Sequence, residues 1–365
     1  MGIAELDKNL KIETTLTQGD IVWFDVRKAP FELYGNCKNA EKPFSRMPRS
    51  IASQASENVG ILCERPAGVR ARFSTNSPYI AIKAVLPYFE PMGHMTFAGS
   101  VGFDLYCDDD DKSEYVSTFV PPADINGGYE VLREIVIASR KPEGTMLSYT
   151  LNFPLYNEVS ELYIGIKEGS MISGGAKYRD IPPVLYYGSS ITQGACATRP
   201  GNAYEAMISR DCNVDFFNFG FSGNCKGEKI LATYFSDIDA SAFVCDYDHN
   251  TPSVEHLEKT YYSFYEEYRK KQPYTPYIMV TRVDCLWNSI GFLEKCRNII
   301  HGAYLKAKTS GDENVYYIDG SRIFEGEQRG SCLCDGGHPT DLGFFRMYSV
   351  IGGEVKKILK EKYGI

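Results

Sequence analysis

The chain has 365 residues, 43% hydrophobic and 24% charged, with a formal net charge of −8. That balance is ordinary for a globular protein, and the length exceeds what one core supports, so two domains are expected. The acidic charge argues against a nucleic-acid or anionic-membrane partner, and no run approaches about 18 uninterrupted apolar residues, so no membrane span is expected.

The start, MGIAELDKNLKIETTL, has no apolar stretch of signal-peptide type. Leu6 stands where a myristoylation motif needs Ser or Thr, so a cytoplasmic protein is expected. The 11 cysteines include no C-x-x-C; Cys332 and Cys334 are the closest pair. That spacing points to free, mostly buried thiols rather than a zinc site or a disulfide framework.

Residues 1–178 read as an all-β domain, a β-sandwich or jelly roll. Short runs rich in β-branched and aromatic residues (Asp20–Val26, Ala71–Ser74, Tyr79–Leu86, Leu132–Ile137) are separated by Gly, Pro, Asn and Asp clusters. The acidic run Asp108–Lys112 reads as a solvated turn rather than a metal cluster. Residues 179–365 alternate strand-type runs with helical stretches. The strands are Val184–Tyr187, Val214–Asn218, Ala242–Tyr247, Tyr277–Thr281 and Val315–Ile318. The helices are Ala203–Arg210, Lys226–Phe235, Val254–Lys271, Ile290–Lys308 and Asp341–Lys360. Alternation of this kind predicts a mostly parallel sheet covered on both faces, with chemistry in the loops that follow its strands.

Four of those loops carry candidate residues. In Gly188-Ser189-Ser190, the glycine permits a sharp turn after a strand, and Ser190 is a candidate nucleophile in need of a base. Thr192 stands where a G-x-S-x-G elbow has its second glycine, which disfavours an ordinary α/β-hydrolase. In Gly220-Phe221-Ser222-Gly223, an unhindered Gly223 N–H can face a developing oxyanion. In Asp246-Tyr247-Asp248-His249-Asn250, the Asn250 amide can do the same. A metal site from Asp246, Asp248 and His249 is disfavoured, because adjacent residues rarely converge on one ion.

The last loop, Asp335-Gly336-Gly337-His338, places an Asp three residues before a His. Its carboxylate can fold back to accept the imidazole N–H and orient the ring as a base. Asp246 and His249 share that spacing, so spacing does not choose between the two histidines. The two glycines, and a terminal helix capped by Thr340, favour His338; His249 is then expected to orient the loop of Asn250. His94 lies in the β half, and His256 and His301 fall in predicted helices.

The four loops in order resemble the SGNH (GDSL-type) hydrolase superfamily over roughly residues 180–365. Ser189 replaces the usual Asp before the serine, and Asp248-His249-Asn250 replaces the usual G-x-N-D block. Gly102-Phe103-Asp104-Leu105-Tyr106 resembles the G-x-D-L-Y signature of a β domain that precedes some of these hydrolases. The resemblance implies a flavodoxin-like three-layer α/β domain behind the β domain. It also implies a triad of Ser190, His338 and Asp335, and an oxyanion hole of the Ser190 and Gly223 N–H groups with Asn250. No metal or organic cofactor is implied. The expected activity is a serine esterase that removes a short acyl group, acetyl above all, from a small-molecule or oligosaccharide ester. Arg46, Asp248, Arg282 and Trp287 are candidate substrate contacts, and Trp23 a further one. An acyltransferase with the same triad, or an inactive carbohydrate-binding relative, are the alternatives. The sequence does not give the oligomeric state.

Overall fold

The computed structural model describes residues 16–365 apart from 110, 111, 143 and 284. The amino-terminal segment and the middle of the Asp108–Lys112 run therefore lie outside the described residues. The β half consists of two antiparallel sheets. One has the order β1 (Ile21–Asp25), β9 (Glu161–Lys167), β4 (Tyr79–Val85), β7 (Gly128–Glu134). The other runs β10 (Ile172–Gly174), β3 (Arg70–Thr75), β8 (Leu147–Asn152), β5 (Phe103–Asp109), β6 (Lys112–Phe119), and β2 (Glu32–Tyr34) also pairs with β3. Alternate side chains of both sheets, among them Ile80, Ile82, Val131 and Ile164 from one and Phe73, Phe103, Leu105 and Leu151 from the other, fill a shared core. The period of two in strands sends those positions inward together. Trp23 lies opposite Gly165, and its ring fills the space that a side chain there would need.

The second half is a five-stranded parallel sheet in the order β12 (Phe216–Gly220), β11 (Val184–Gly188), β13 (Ala242–Asp246), β14 (Tyr277–Val280), β15 (Val315–Ile318). Its strands are almost wholly buried, because helices cover both faces. Helices Tyr204–Cys212 and Gly353–Tyr363 supply one apolar layer, and Lys229–Ser236, Val254–Arg269 and Ile290–Thr309 the other. None of the helices in the described residues is long and apolar enough to cross a membrane.

Three details differ from the sequence reading. The strand expected at Leu132–Ile137 lies earlier, at Gly128–Glu134, and ends in a 3₁₀ turn over Val136–Arg140. The terminal helix is interrupted by a π turn at Tyr348–Gly352, where Gly352 and Gly353 weaken the helical preference. Most consequentially, a segment of the β half packs on the parallel sheet. Met47, Ala52, Val59 and Cys63, around helices Arg49–Ala55 and Glu57–Leu62, belong to the core of the α/β half.

The G-x-D-L-Y segment fastens the two halves. Asp104 is fully buried, and its Oδ2 accepts the Gly201 N–H at 2.9 Å and an Arg199 guanidinium N–H at 2.8 Å. Arg199 also donates to the Tyr106 hydroxyl. Gly201 is required by that contact, since a Cβ there would lie 2.6 Å from both Asp104 Oδ2 and the Tyr106 ring.

Candidate active site

Three of the four loops leave the carboxyl ends of neighbouring strands. Gly188, Gly220 and Asp246 end β11, β12 and β13 in matched register, with β11 in the middle. Gly188 permits close approach: a Cβ would lie 1.8 Å from Asp246 Oδ1 and 2.1 Å from Thr192 Oγ1. Immediately after it, Ser189 caps the short helix Ser190–Gln193 by accepting the Ile191 N–H. Ser190 thus stands at the first turn of that helix, 8% exposed.

Ser190 Oγ lies 2.9 Å from His338 Nε2. His338 Nδ1 lies 2.8 Å from Asp335 Oδ2, while Asp335 Oδ1 accepts the backbone N–H groups of His338 at 2.9 Å and Gly337 at 3.1 Å. The loop is closed by a bridge between Leu333 and Pro339 and by the Cys334 N–H on the His338 carbonyl. Partial burial alone would raise the Asp335 pKa, but the bonds from the His338 ring and backbone outweigh it, and the carboxyl sits below its ordinary value. A hydroxyl on one imidazole nitrogen and an ionised carboxylate on the other let the ring accept the hydroxyl proton and carry the resulting charge.

The remaining histidine with an Asp three residues earlier is placed differently. Asp246 turns away from His249 and accepts from Thr192 Oγ1 at 2.5 Å and the Tyr204 hydroxyl at 3.5 Å. Burial pushes its carboxyl up to about 8. Burial also holds the His249 pKa well below its ordinary value, with the charges of Arg282 and His338 adding to the effect, so that ring is neutral.

Candidate backbone and side-chain donors stand on the loops that follow β11, β12 and β13. Gly223 has φ +69, and the space where a Cβ would stand is open. Asn250 Oδ1 accepts the Cys225 N–H at 3.3 Å, which leaves the amide donors of Asn250 for a ligand. The Ser190 N–H opens its helix and so has no acceptor within it. Cross-links hold these loops together: the Phe221 N–H donates to the Gly188 carbonyl at 2.9 Å, and the Ser222 N–H to Gln193 Oε1 at 3.0 Å. Donors fixed in this way can stabilise an oxyanion without reorganising.

Of Arg46, Asp248, Arg282 and Trp287, proposed as substrate contacts, the first three are corrected. Arg46 is fully buried, and its guanidinium donates to the carbonyls of Leu62 (2.6 Å), Arg65 (2.8 Å), Asn218 (2.8 Å) and Gly220 (2.7 Å). It ties the β half to the loop of Gly223 and, being fully buried, does not face a substrate. Asp248 is fully buried and accepts the Arg282 backbone N–H at 3.1 Å and the guanidinium Nε at 3.3 Å. Arg282, 5% exposed, also donates to the Asp248 carbonyl and to Asn288 Oδ1. This pair braces the 3₁₀ turn Tyr247–Asn250, and with it Asn250. Trp287 remains at the site: 54% exposed, with its ring T-shaped against His338 at 4.9 Å and its Nε1–H on the Asp335 carbonyl at 3.2 Å.

Sequence reasoning missed two neighbours. The Tyr156 hydroxyl donates to the Ser190 carbonyl at 3.2 Å, and the His94 ring stacks on His338 at 5.5 Å. Both come from the β half, and no local pattern in the sequence marks either.

The comparisons agree with this architecture. A family model described as "GDSL-like Lipase/Acylhydrolase family" matches residues 182–356, and the GxDLY model, "N-terminus of Esterase_SGNH_hydro-type", matches residues 21–172. A crystal structure from Bacteroides ovatus ATCC 8483, described as a GDSL-like lipase, is 30% identical with a TM-score of 0.82, covering 93% of this chain and 98% of that one. The salicylyl-acyltransferase SsfX3 from a tetracycline biosynthetic pathway is 17% identical, with a TM-score of 0.74 over 93% and 98% of the two chains. The acetyl xylan esterase Est2A from Butyrivibrio proteoclasticus is 11% identical, with a TM-score of 0.56 over 94% and 99%. These last two share the fold. No curated protein sequence matches the chain. The chain therefore belongs to the GDSL-like lipase/acylhydrolase family, with a GxDLY domain in front of its hydrolase domain, and is an acylhydrolase of esterase type.

Proposed function

We propose that Ser190 is the nucleophile of a serine esterase that removes a short acyl group, acetyl above all, from a carbohydrate. The observation that carries this reading is the unbroken relay from Ser190 Oγ through His338 to Asp335. Ser190 attacks the ester carbonyl as His338 takes its proton. The oxyanion is met by the N–H groups of Ser190 and Gly223 and by the Asn250 amide. His338 then protonates the departing alcohol, and a water deprotonated by the same ring releases the acid from acyl-Ser190. Asp335 keeps the ring oriented, and its depressed pKa keeps it ionised.

The substrate side follows from which group the histidine serves. Because His338 delivers the proton to the leaving oxygen, the alcohol lies on its side of the site, where Trp287 exposes an aromatic face. Leu286, 72% exposed, precedes Trp287 in the chain and donates its backbone N–H to the Gly336 carbonyl. An aromatic face with a polar edge suits a sugar ring. The acetyl xylan esterase among the structural neighbours supports the same class. The greater structural likeness to a salicylyl-acyltransferase favours a second reading, in which an acceptor alcohol replaces water. Acetate release from a panel of acetylated saccharides, with and without added acceptor alcohols, tests both. Release that disappears in Ser190→Ala and falls in Trp287→Ala supports the esterase. Transfer that outpaces release supports the second reading, and equal release by the native chain and Ser190→Ala would sink both.

A further inference from the structure

Cysteine spacing offers no metal motif, yet the fold gathers a mixed ligand set beside the relay. One ligand atom each from His94, Cys196, Asp335 and His338 lies within 4.8 Å of the others. They arrive from three segments distant in sequence. His94 stands on residues 87–96, which lead from β4 of the sandwich toward the hydrolase half, where Met92 and Met95 pack on its core. Cys196 follows the nucleophile's helix and is buried at φ 69, a left-handed conformation uncommon for a residue with a Cβ. Its thiol donates to the His94 carbonyl at 3.3 Å. The Cys334 thiol, next to Asp335, donates to the same carbonyl at 3.6 Å.

We propose that this cluster is an inhibitory site for a borderline-soft divalent cation, Zn²⁺ foremost, held by His94 and Cys196 together with His338 or Asp335. Imidazole, thiolate and carboxylate are the donor types of zinc, whereas calcium and magnesium take oxygen alone. Tetrahedral zinc sets its ligand atoms about 3.5 Å apart, so no pair of these atoms has to close by more than about 1.3 Å. Binding exchanges the Cys196 thiol proton for the ion and releases that proton to solvent; no electron moves.

Inhibition follows from the geometry. Both ring nitrogens of His338 are engaged, Nε2 with Ser190 and Nδ1 with Asp335. A metal on either nitrogen breaks one of those bonds, and a metal on Asp335 withdraws the orienting carboxylate. Occupancy and turnover therefore exclude each other. The inhibitory part rests on the esterase reading; binding does not.

The test uses metal-stripped full-length protein in a thiol-free reductant, titrated with Co²⁺ as a spectroscopic probe. The expected result is a near-ultraviolet thiolate-to-cobalt charge-transfer band that saturates at one ion per chain. It is lost in Cys196→Ser, and Co²⁺ binds at least about tenfold more weakly to His94→Ala. Ser190→Ala should show the same band as the native chain, so binding is read even where turnover is not. Zn²⁺ should inhibit hydrolysis of p-nitrophenyl acetate, and Cys196→Ser, with its metal-free rate intact, should need at least about tenfold more. No band at saturating Co²⁺, or a band that survives Cys196→Ser and vanishes with Cys334→Ser, overturns the site. A normal band with turnover unaffected by Zn²⁺ overturns the inhibition.

Discussion

Replacing Gly337 by Ala should injure the site through a neighbour rather than through the backbone. Gly337 precedes His338 and is covered by Trp287: an added Cβ would lie 2.3 Å from Cε2 and Cζ2 of that ring and 2.4 Å from Cη2. Real Cβ atoms do not approach so closely, and Trp287, half exposed on its loop, is the part that can swing away. Its departure removes the T-shaped contact with His338 and the hydrogen bond to the Asp335 carbonyl. An aromatic pair of this kind contributes about 0.5–1.5 kcal/mol, which converts to a loss of about 2- to 12-fold in kcat/KM. The assay is a double-mutant cycle on p-nitrophenyl acetate with Gly337→Ala, Trp287→Ala and both together. Once Trp287 is removed, Gly337→Ala has nothing left to displace, so the double variant should match Trp287→Ala alone. In a Trp23→Phe background, Trp287 is the remaining tryptophan, and Gly337→Ala should shift its fluorescence toward that of a solvated indole. If Gly337→Ala costs the same factor with and without Trp287, or leaves the emission unchanged, the ring does not hold His338 as described.

Asn250→Ala should lower kcat roughly 100–1,000-fold with folding intact, as expected for the loss of one oxyanion donor; circular dichroism and steady-state kinetics check both parts. Arg46→Lys should lower the thermal midpoint while leaving KM of the folded protein unchanged. At least one of the four carbonyls bound by Arg46 would lose its donor, since a lysine ammonium has three N–H groups, at about 1–3 kcal/mol. Asp246 gives a pH signature. Its folded-state pKa of about 8 lies above its ordinary value of 3.8, so its contribution is fully present below about pH 4 and is lost as pH rises through 8. Across that window Asp246→Asn should flatten the fall in thermal midpoint with rising pH; an unchanged slope would mean that Asp246 does not titrate there.

Much of the architecture was legible because it rests on local patterns. The strand-then-turn grammar of Val184–Tyr187 and Ala242–Tyr247 placed the loops of Ser190 and Asn250, and the two glycines between Asp335 and His338, with the capped helix behind them, favoured that pair over the other D-x-x-H. The misreadings share one cause. Whether an arginine or aspartate faces substrate or core depends on what packs over it. Arg46 reaches across to carbonyls at Asn218 and Gly220, more than 170 positions away, and Asp248 meets Arg282 across 34. The same non-local packing hid Tyr156 and His94 and put helices Arg49–Ala55 and Glu57–Leu62 against a sheet formed by the other half of the chain. It also explains the second D-x-x-H. Asp246 shares the spacing of Asp335, but its carboxylate accepts from Thr192 and Tyr204, which the spacing does not show.

The central claim is that Ser190 carries the acyl group, activated by His338. Intact-mass and peptide mass spectrometry after exposure to a fluorophosphonate probe tests it most directly. One adduct per chain is expected, mapped to Ser190, absent from Ser190→Ala and strongly slowed in His338→Ala. An adduct on another residue, or native protein that stays unlabelled while it turns over p-nitrophenyl acetate, would contradict it.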